Sequence, residues 1–139
     1  MLEASVSIEN VVVGRIDKGL VVFLGIGAND TLDQVEYLAK KLINLRIFPD
    51  SQGKMNLSLL DLSYSVLLVS QFTLYGNCDK GNRPSFIDSA PPAEAIPLYE
   101  AFIQSLKEKK IHTETGQFGA DMQVSIVNDG PVTFMIEKE

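Results

Sequence analysis

The chain has 139 residues, 45% of them hydrophobic and 22% charged, with a formal net charge of −6, the size and balance of one soluble globular domain spanning 1–139. One cysteine, Cys78, and one histidine, His112, exclude a disulfide framework and any zinc site built from several Cys or His ligands of one chain. Eighteen acidic against twelve basic residues argue against indiscriminate adhesion to nucleic acid through phosphate contacts, and DNA is not an expected partner.

The chain opens with Ala4-Ser5-Val6-Ser7-Ile8, which alternates apolar and polar with period two. Glu9-Asn10 is a turn pair and Val11-Val12-Val13 restarts an extended run, so a hairpin is predicted. Asp17-Lys18-Gly19 turns the chain again. The run from Leu20 to Ile26 (LVVFLGI) is apolar at nearly every position, which predicts a strand covered on both faces. It is also the longest apolar stretch, far short of the roughly 20 residues that span a bilayer. The start, Met1-Leu2-Glu3-Ala4, lacks the basic region of a signal peptide. A cytoplasmic protein with no membrane partner is expected.

Thr31-Leu32-Asp33-Gln34 has the form of a capping box. Leu32, Val35, Leu38, Ala39, Leu42 and Leu45 follow at helical spacing, with Lys40, Lys41 and Arg46 placed late, where they complement the helix dipole. Pro49-Asp50-Ser51-Gln52-Gly53 breaks the chain, and Tyr64 to Val69 (YSVLLV) reads as a second buried strand. The segment from Gly76 to Pro92 has no usable period and reads as a long surface loop. A second helix follows, with Tyr99, Phe102, Ile103 and Leu106 facing inward, Pro97 in its first turn, and Lys107, Lys109 and Lys110 at its C-terminal end. Two strands close the chain, Met122 to Val127 and Val132 to Ile136, separated by Asn128-Asp129-Gly130-Pro131. The expected fold class is therefore α/β, a single layered domain with mixed β-sheet layers and two main helices packed on one side.

Chemistry is sparse. No G-x-S-x-G turn occurs, and His112 sits beside Lys109 and Lys110 at a helix end, with no orienting partner near it in sequence. It reads as a surface residue. Gly25-Ile26-Gly27 follows a strand, but Asp30 stands at the position of the third glycine of a phosphate loop and no Walker lysine follows. Two segments remain. Ser70-Gln71-Phe72-Thr73-Leu74 places two hydroxyls and an amide directly after a buried run. These groups read either as caps on neighbouring backbone or as a cradle for a carbonyl or oxyanion. Asn128-Asp129-Gly130-Pro131-Val132-Thr133 reads either as a plain turn or as a loop that presents main-chain atoms to a ligand.

SQFTL at 70–74 and NDGPVT at 128–133 occur together with Arg46-Ile47-Phe48, Gly53-Lys54-Met55-Asn56-Leu57, Arg83-Pro84-Ser85-Phe86 and the run from Thr115 to Val124. In this order and at these separations they resemble the D-aminoacyl-tRNA deacylases, over nearly the whole chain. The resemblance implies a homodimeric hydrolase, without a cofactor or metal, that cleaves the ester between a D-amino acid, or glycine mischarged on tRNA(Ala), and the terminal adenosine of tRNA. By the family pattern Ser70, Gln71, Phe72 and Thr73 form the catalytic surface around the aminoacyl group, and Phe118 and Met122 hold the adenine. Gly130-Pro131 is implied to be cis and to reach into the partner subunit's site, where an L side chain collides with main-chain carbonyls. With no placed histidine and no acid pair, activation of water falls to the ribose 2′-hydroxyl, and Thr73 is expected to position rather than attack. Lys54, Lys80, Arg83 and the cluster from Lys107 to Lys110 are available for phosphate contacts. Family chains usually begin with a further short strand containing Gln-Arg-Val, whereas the match here starts around Glu3-Ala4-Ser5-Val6. Two other readings stay open: a noncatalytic binder of aminoacyl-tRNA ends, and an editing hydrolase for a small L-amino acid.

Overall fold

The computed structural model describes residues 1–139. β1 (Glu3–Ile8) and β2 (Val11–Ile16) form the predicted antiparallel hairpin. Its two-residue turn, Glu9-Asn10, has φ of 49° and 65°, the positive pair that matches the twist of the flanking strands. β3 (Gly19–Leu24) is followed by α1 (Leu32–Asn44). The capping box closes as predicted, with Thr31 Oγ1 accepting from the Asp33 N–H at 3.3 Å and Gln34 Oε1 accepting from the Thr31 N–H at 2.8 Å. Val35, Ala39, Leu42 and Ile43 face the core, while Leu32 at the helix start is exposed, not part of the buried stripe.

The break at Pro49 contains elements that the sequence pattern did not reveal: β4 (Phe48–Pro49) pairs with β5 (Met55–Leu57), and α2 (Leu59–Leu62) is a single turn capped by Ser58. β6 (Ser65–Ser70) is the second buried strand. After the long loop come α3 (Pro92–Glu108), β7 (Thr113–Thr115) and β8 (Gln123–Val127). α3 starts early enough to leave Pro97 in its second turn rather than its first. Pro91 and Pro92 supply the extended cap and a first helical residue whose N–H is not needed. The carbonyl that Pro97 leaves without a partner belongs to Ala93, an exposed residue that water can serve.

β3, β6 and β7 form one parallel sheet in the order β3-β6-β7, and β1 lies between β2 and β8 in an antiparallel sheet. The fold is thus α/β with helices on one side of stacked sheets, as expected. β6 shows how the layers are held. Val66 and Leu68 point into the core shared with α1 and α3, whereas Leu67 and Val69 point into the core shared with Ala4, Val6 and Ile16 of the other sheet. All four are buried, because successive strand side chains alternate faces and both faces here are covered. The sheets approach closely at Gly14, where a Cβ would stand 2.8 Å from the Thr115 carbonyl oxygen.

Two expectations are corrected. β3 is an edge strand of its sheet, so Phe23 is 37% exposed and full two-faced cover belongs to β6 instead. Val132 to Ile136 is not a strand, because no neighbouring strand in the chain offers it a ladder. Val132, Phe134, Met135 and Ile136 are all exposed there.

Candidate active site

β6 ends at Ser70, opposite Leu24, and one more ladder-like bond, from the Gln71 N–H to the Leu24 carbonyl at 2.8 Å, holds the chain as it leaves the sheet. It then coils into a 3₁₀ turn, Phe72–Tyr75. The turn is closed by the Leu74 N–H to the Gln71 carbonyl and the Gly76 N–H to the Thr73 carbonyl. The Gln71 side-chain amide donates to Thr73 Oγ1. Phe72 lies edge-on to Phe86 from the long loop, with ring centroids 5.0 Å apart. That loop is pinned where it returns to the fold: Ala28 N–H donates to the Asp88 carbonyl and Ala90 N–H to the Ile26 carbonyl.

These elements enclose a cleft of about 160 Å³. Leu24, Ile26, Ala90 and Ala95, all buried, form its floor. Ser70, Gln71 and Phe72 from the end of β6 line it together with Phe118 to Ala120 and Met122 from the segment between β7 and β8. Phe118 is held edge-on by Tyr99 of α3 at 5.6 Å, and Met122 packs so tightly over Gly116 that a Cβ there would come within 2.4 Å of its sulfur. Five predicted site residues therefore meet in one cavity. Thr73 sits just beyond its wall, exposed on the 3₁₀ turn. Gly130 and Pro131 lie outside it, in the exposed segment after β8, with a cis bond between them.

No charged side chain lines the cleft, and its polar side chains are Ser70, Gln71 and Ser89. Ser89 was not foreseen. It arrives through an isolated bridge with Gly27, a pairing between distant segments that leaves no periodic trace. The nearby glycines make room for Tyr75, since a Cβ on Gly27 would stand 2.8 Å from its hydroxyl and one on Gly25 3.2 Å from its ring, and the Asp30 carboxylate accepts from the Gly27 N–H at 2.6 Å, closing a local turn rather than a phosphate cradle. His112 is exposed, 3.5 Å from Glu114, and is not among the residues that line the cleft. No group of three or more His, Cys, Asp or Glu side chains converges anywhere. A second depression, lined by residues of β1, β2 and β8, includes the exposed Arg15–Glu3 pair at 3.5 Å as its charged side chains.

Tyr99 ties two segments of the cleft lining together. Its hydroxyl donates to the Leu68 carbonyl at 3.2 Å, two residues before Ser70, while its ring supports Phe118. Burial pushes this phenol up to about 12. A raised folded value means stability that is fully present below pH 10 and lost as pH rises toward 12. Tyr99→Phe is expected to cost about 1 kcal/mol at pH 8 through the lost hydrogen bond. Denaturant melts should show that difference shrinking between pH 10 and about 12, as ionisation in the unfolded chain destabilises only the parent protein.

The sequence model of the D-Tyr-tRNA(Tyr) deacylase family matches residues 1–137. Among curated proteins, the chain is 55% identical over 136 residues to the D-aminoacyl-tRNA deacylase of Thermosipho africanus (strain TCF52B), covering 98% of this chain and 91% of that one. It is 57% identical over 135 residues to the D-aminoacyl-tRNA deacylase of Thermus aquaticus, covering 97% and 89%. A solved structure described as a c-Myc DNA unwinding element binding protein superposes with a TM-score of 0.93 at 39% identity, over 99% of this chain and 94% of that one. A probable eukaryotic D-amino acid tRNA deacylase shares the fold, with a TM-score of 0.75 at 17% identity, over 90% and 88% of the two chains.

Proposed function

The chain belongs to the D-Tyr-tRNA(Tyr) deacylase family, and from that premise we propose that it hydrolyses the ester of D-aminoacyl-tRNA, and of glycyl-tRNA(Ala), while rejecting L-aminoacyl esters. The observation that carries this reading is the cleft itself. Hydroxyl and amide groups at Ser70 and Gln71 share one cavity with the aromatic and thioether side chains of Phe118 and Met122, and no charged side chain lines it. An adenine ring suits the apolar side chains, where Phe118 offers an edge and face already braced by Tyr99. The ester carbonyl then falls to the polar groups, where hydroxyl, amide and main-chain donors stabilise the oxyanion.

In the reaction water attacks the ester carbonyl carbon, the bond from that carbon to the ribose oxygen breaks, and the proton released by water ends on the ribose. No side chain in the cleft is a base at neutral pH, so the ribose 2′-hydroxyl next to the ester relays the proton. Thr73, bonded to Gln71 and without an adjacent base, positions the substrate. Thr73→Ala is expected to lower kcat about tenfold, the loss of one hydrogen bond made in the transition state, with Thr73→Ser near the parent value. Acid-quenched reactions analysed by mass spectrometry check the role directly: an aminoacyl ester trapped on Thr73 would overturn it.

The active form is a homodimer in which Gly130-Pro131 enters the partner's cleft. Its support is the exposed apolar segment from Val132 to Ile136, which has no backbone partner in its own chain. Exposed Lys54, Lys80, Arg83, Lys107 and Lys110 serve the tRNA phosphates, whereas Lys109 is engaged with Glu36 at 3.2 Å and with Ser105 at 2.9 Å. The reading needs no cofactor, DNA or membrane.

A further inference from the structure

We infer that Asn128 is the positioning residue of the Gly130-Pro131 turn. Its side-chain amide spans the turn: Oδ1 accepts from the Val132 N–H at 3.0 Å and Nδ2 donates to Thr133 Oγ1 at 3.0 Å. The two bonds clamp the residues on the far side of Gly130-Pro131 to the residue that leaves β8, so the main-chain atoms of the turn are held in one arrangement. No other hydrogen bond does this. Residues 128–139 are all exposed and make no main-chain to main-chain hydrogen bond, the last such bond on this side being the Leu2 N–H to the Val127 carbonyl. The two Asn128 bonds are the only hydrogen bonds within the segment. A backbone N–H can only donate, which fixes the orientation of the amide and leaves its NH₂ for the threonine hydroxyl.

The inference rests on the reading that this turn excludes L side chains from the partner's site. Exclusion by a steric wall works only while the wall stays in place. A turn released from Asn128 samples positions in which an L side chain fits, so its loosening shows as faster cleavage of the wrong enantiomer rather than as unfolding. Aspartate is the informative replacement, since its carboxylate accepts from the Val132 N–H and from the Thr133 hydroxyl acting as donor.

The experiment measures kcat/KM of the full chain on D- and L-tyrosyl-tRNA for the parent, Asn128→Ala, Asn128→Asp, Thr133→Val and Gly130→Ala, with thermal melts of each. Asn128→Ala is expected to lower the D-to-L ratio about tenfold through a rise in L cleavage, at unchanged Tm, and Asn128→Asp to keep it within about threefold of the parent. Thr133→Val, which removes one bond of the two, gives a smaller drop and serves as the test should Asn128→Ala not fold. If Gly130→Ala collapses the ratio while Asn128→Ala leaves it unchanged, or if Asn128→Asp is as damaging as Asn128→Ala, the assignment of Asn128 is wrong. If Gly130→Ala itself leaves the ratio unchanged, the turn does not select the enantiomer, and the underlying reading fails instead.

Discussion

Gly130→Ala is expected to reduce the ratio of D- to L-tyrosyl-tRNA hydrolysis by about 100-fold without lowering Tm. Gly130 has a φ of +131°, where L residues are strained. A Cβ at this position would stand 2.6 Å from Val132 Cγ2 and 3.1 Å from the Val132 nitrogen. The valine nitrogen is the donor to Asn128 Oδ1, so the added methyl pushes against the group that anchors the turn. The backbone must move, and the segment can do so because it makes no main-chain to main-chain hydrogen bond within its own chain. Stability is spared for the same reason. The size of the effect follows from the kind of discrimination involved: contacts to one side chain distinguish substrates by only about 1–3 kcal/mol, and removing a steric exclusion forfeits about the upper part of that range. Parallel single-turnover assays on the two esters read the ratio.

The second large effect is on folding. Leu68→Ala is expected to destabilise the protein by about 2–5 kcal/mol, the range for deleting a fully buried leucine side chain, and to lower Tm by roughly 10 °C for a chain of this size. Leu68 is 0% exposed and packs with Val66 under α1 and α3. Its carbonyl receives both the Tyr99 hydroxyl and the Gly116 N–H. The cavity therefore opens where β6, α3 and the segment carrying Phe118 and Met122 converge, and the cleft loosens with the core. Ile87→Ala is the comparison. That side chain is 84% exposed, and its removal is expected to change stability by less than about 0.5 kcal/mol. Urea melts of both variants give the two numbers.

What could be read from the sequence was local. The Thr31–Gln34 capping box and the stripe Val35-Ala39-Leu42 belong to one helix, and their signal needs no knowledge of the rest of the chain. The hairpin at Glu9-Asn10 and the polar groups directly after the buried run of β6 were legible for the same reason. Facts that depend on strand order were not. LVVFLGI and YSVLLV are similar runs, yet one is an edge strand with Phe23 partly exposed and the other is covered by two cores. Val132 to Ile136 has the composition of a strand, but a strand exists only where a neighbour accepts its hydrogen bonds. Within the site, Ser70 and Gln71 stood out because polar groups follow an apolar run, whereas Ser89 reaches the cleft through its bridge to Gly27 across half the chain's elements. Asn128 carried a signal that composition alone does not separate from an ordinary turn: an amide four residues ahead of the N–H it receives.

The most direct test of the account is release of amino acid from matched D-tyrosyl-tRNA and L-tyrosyl-tRNA by the purified full chain, under conditions in which spontaneous ester loss is measured alongside. The account predicts rapid loss of the D ester and none of the L ester above the spontaneous rate. Loss of the L ester at a comparable rate, or protection of both esters by a protein that binds them without turnover, would contradict it.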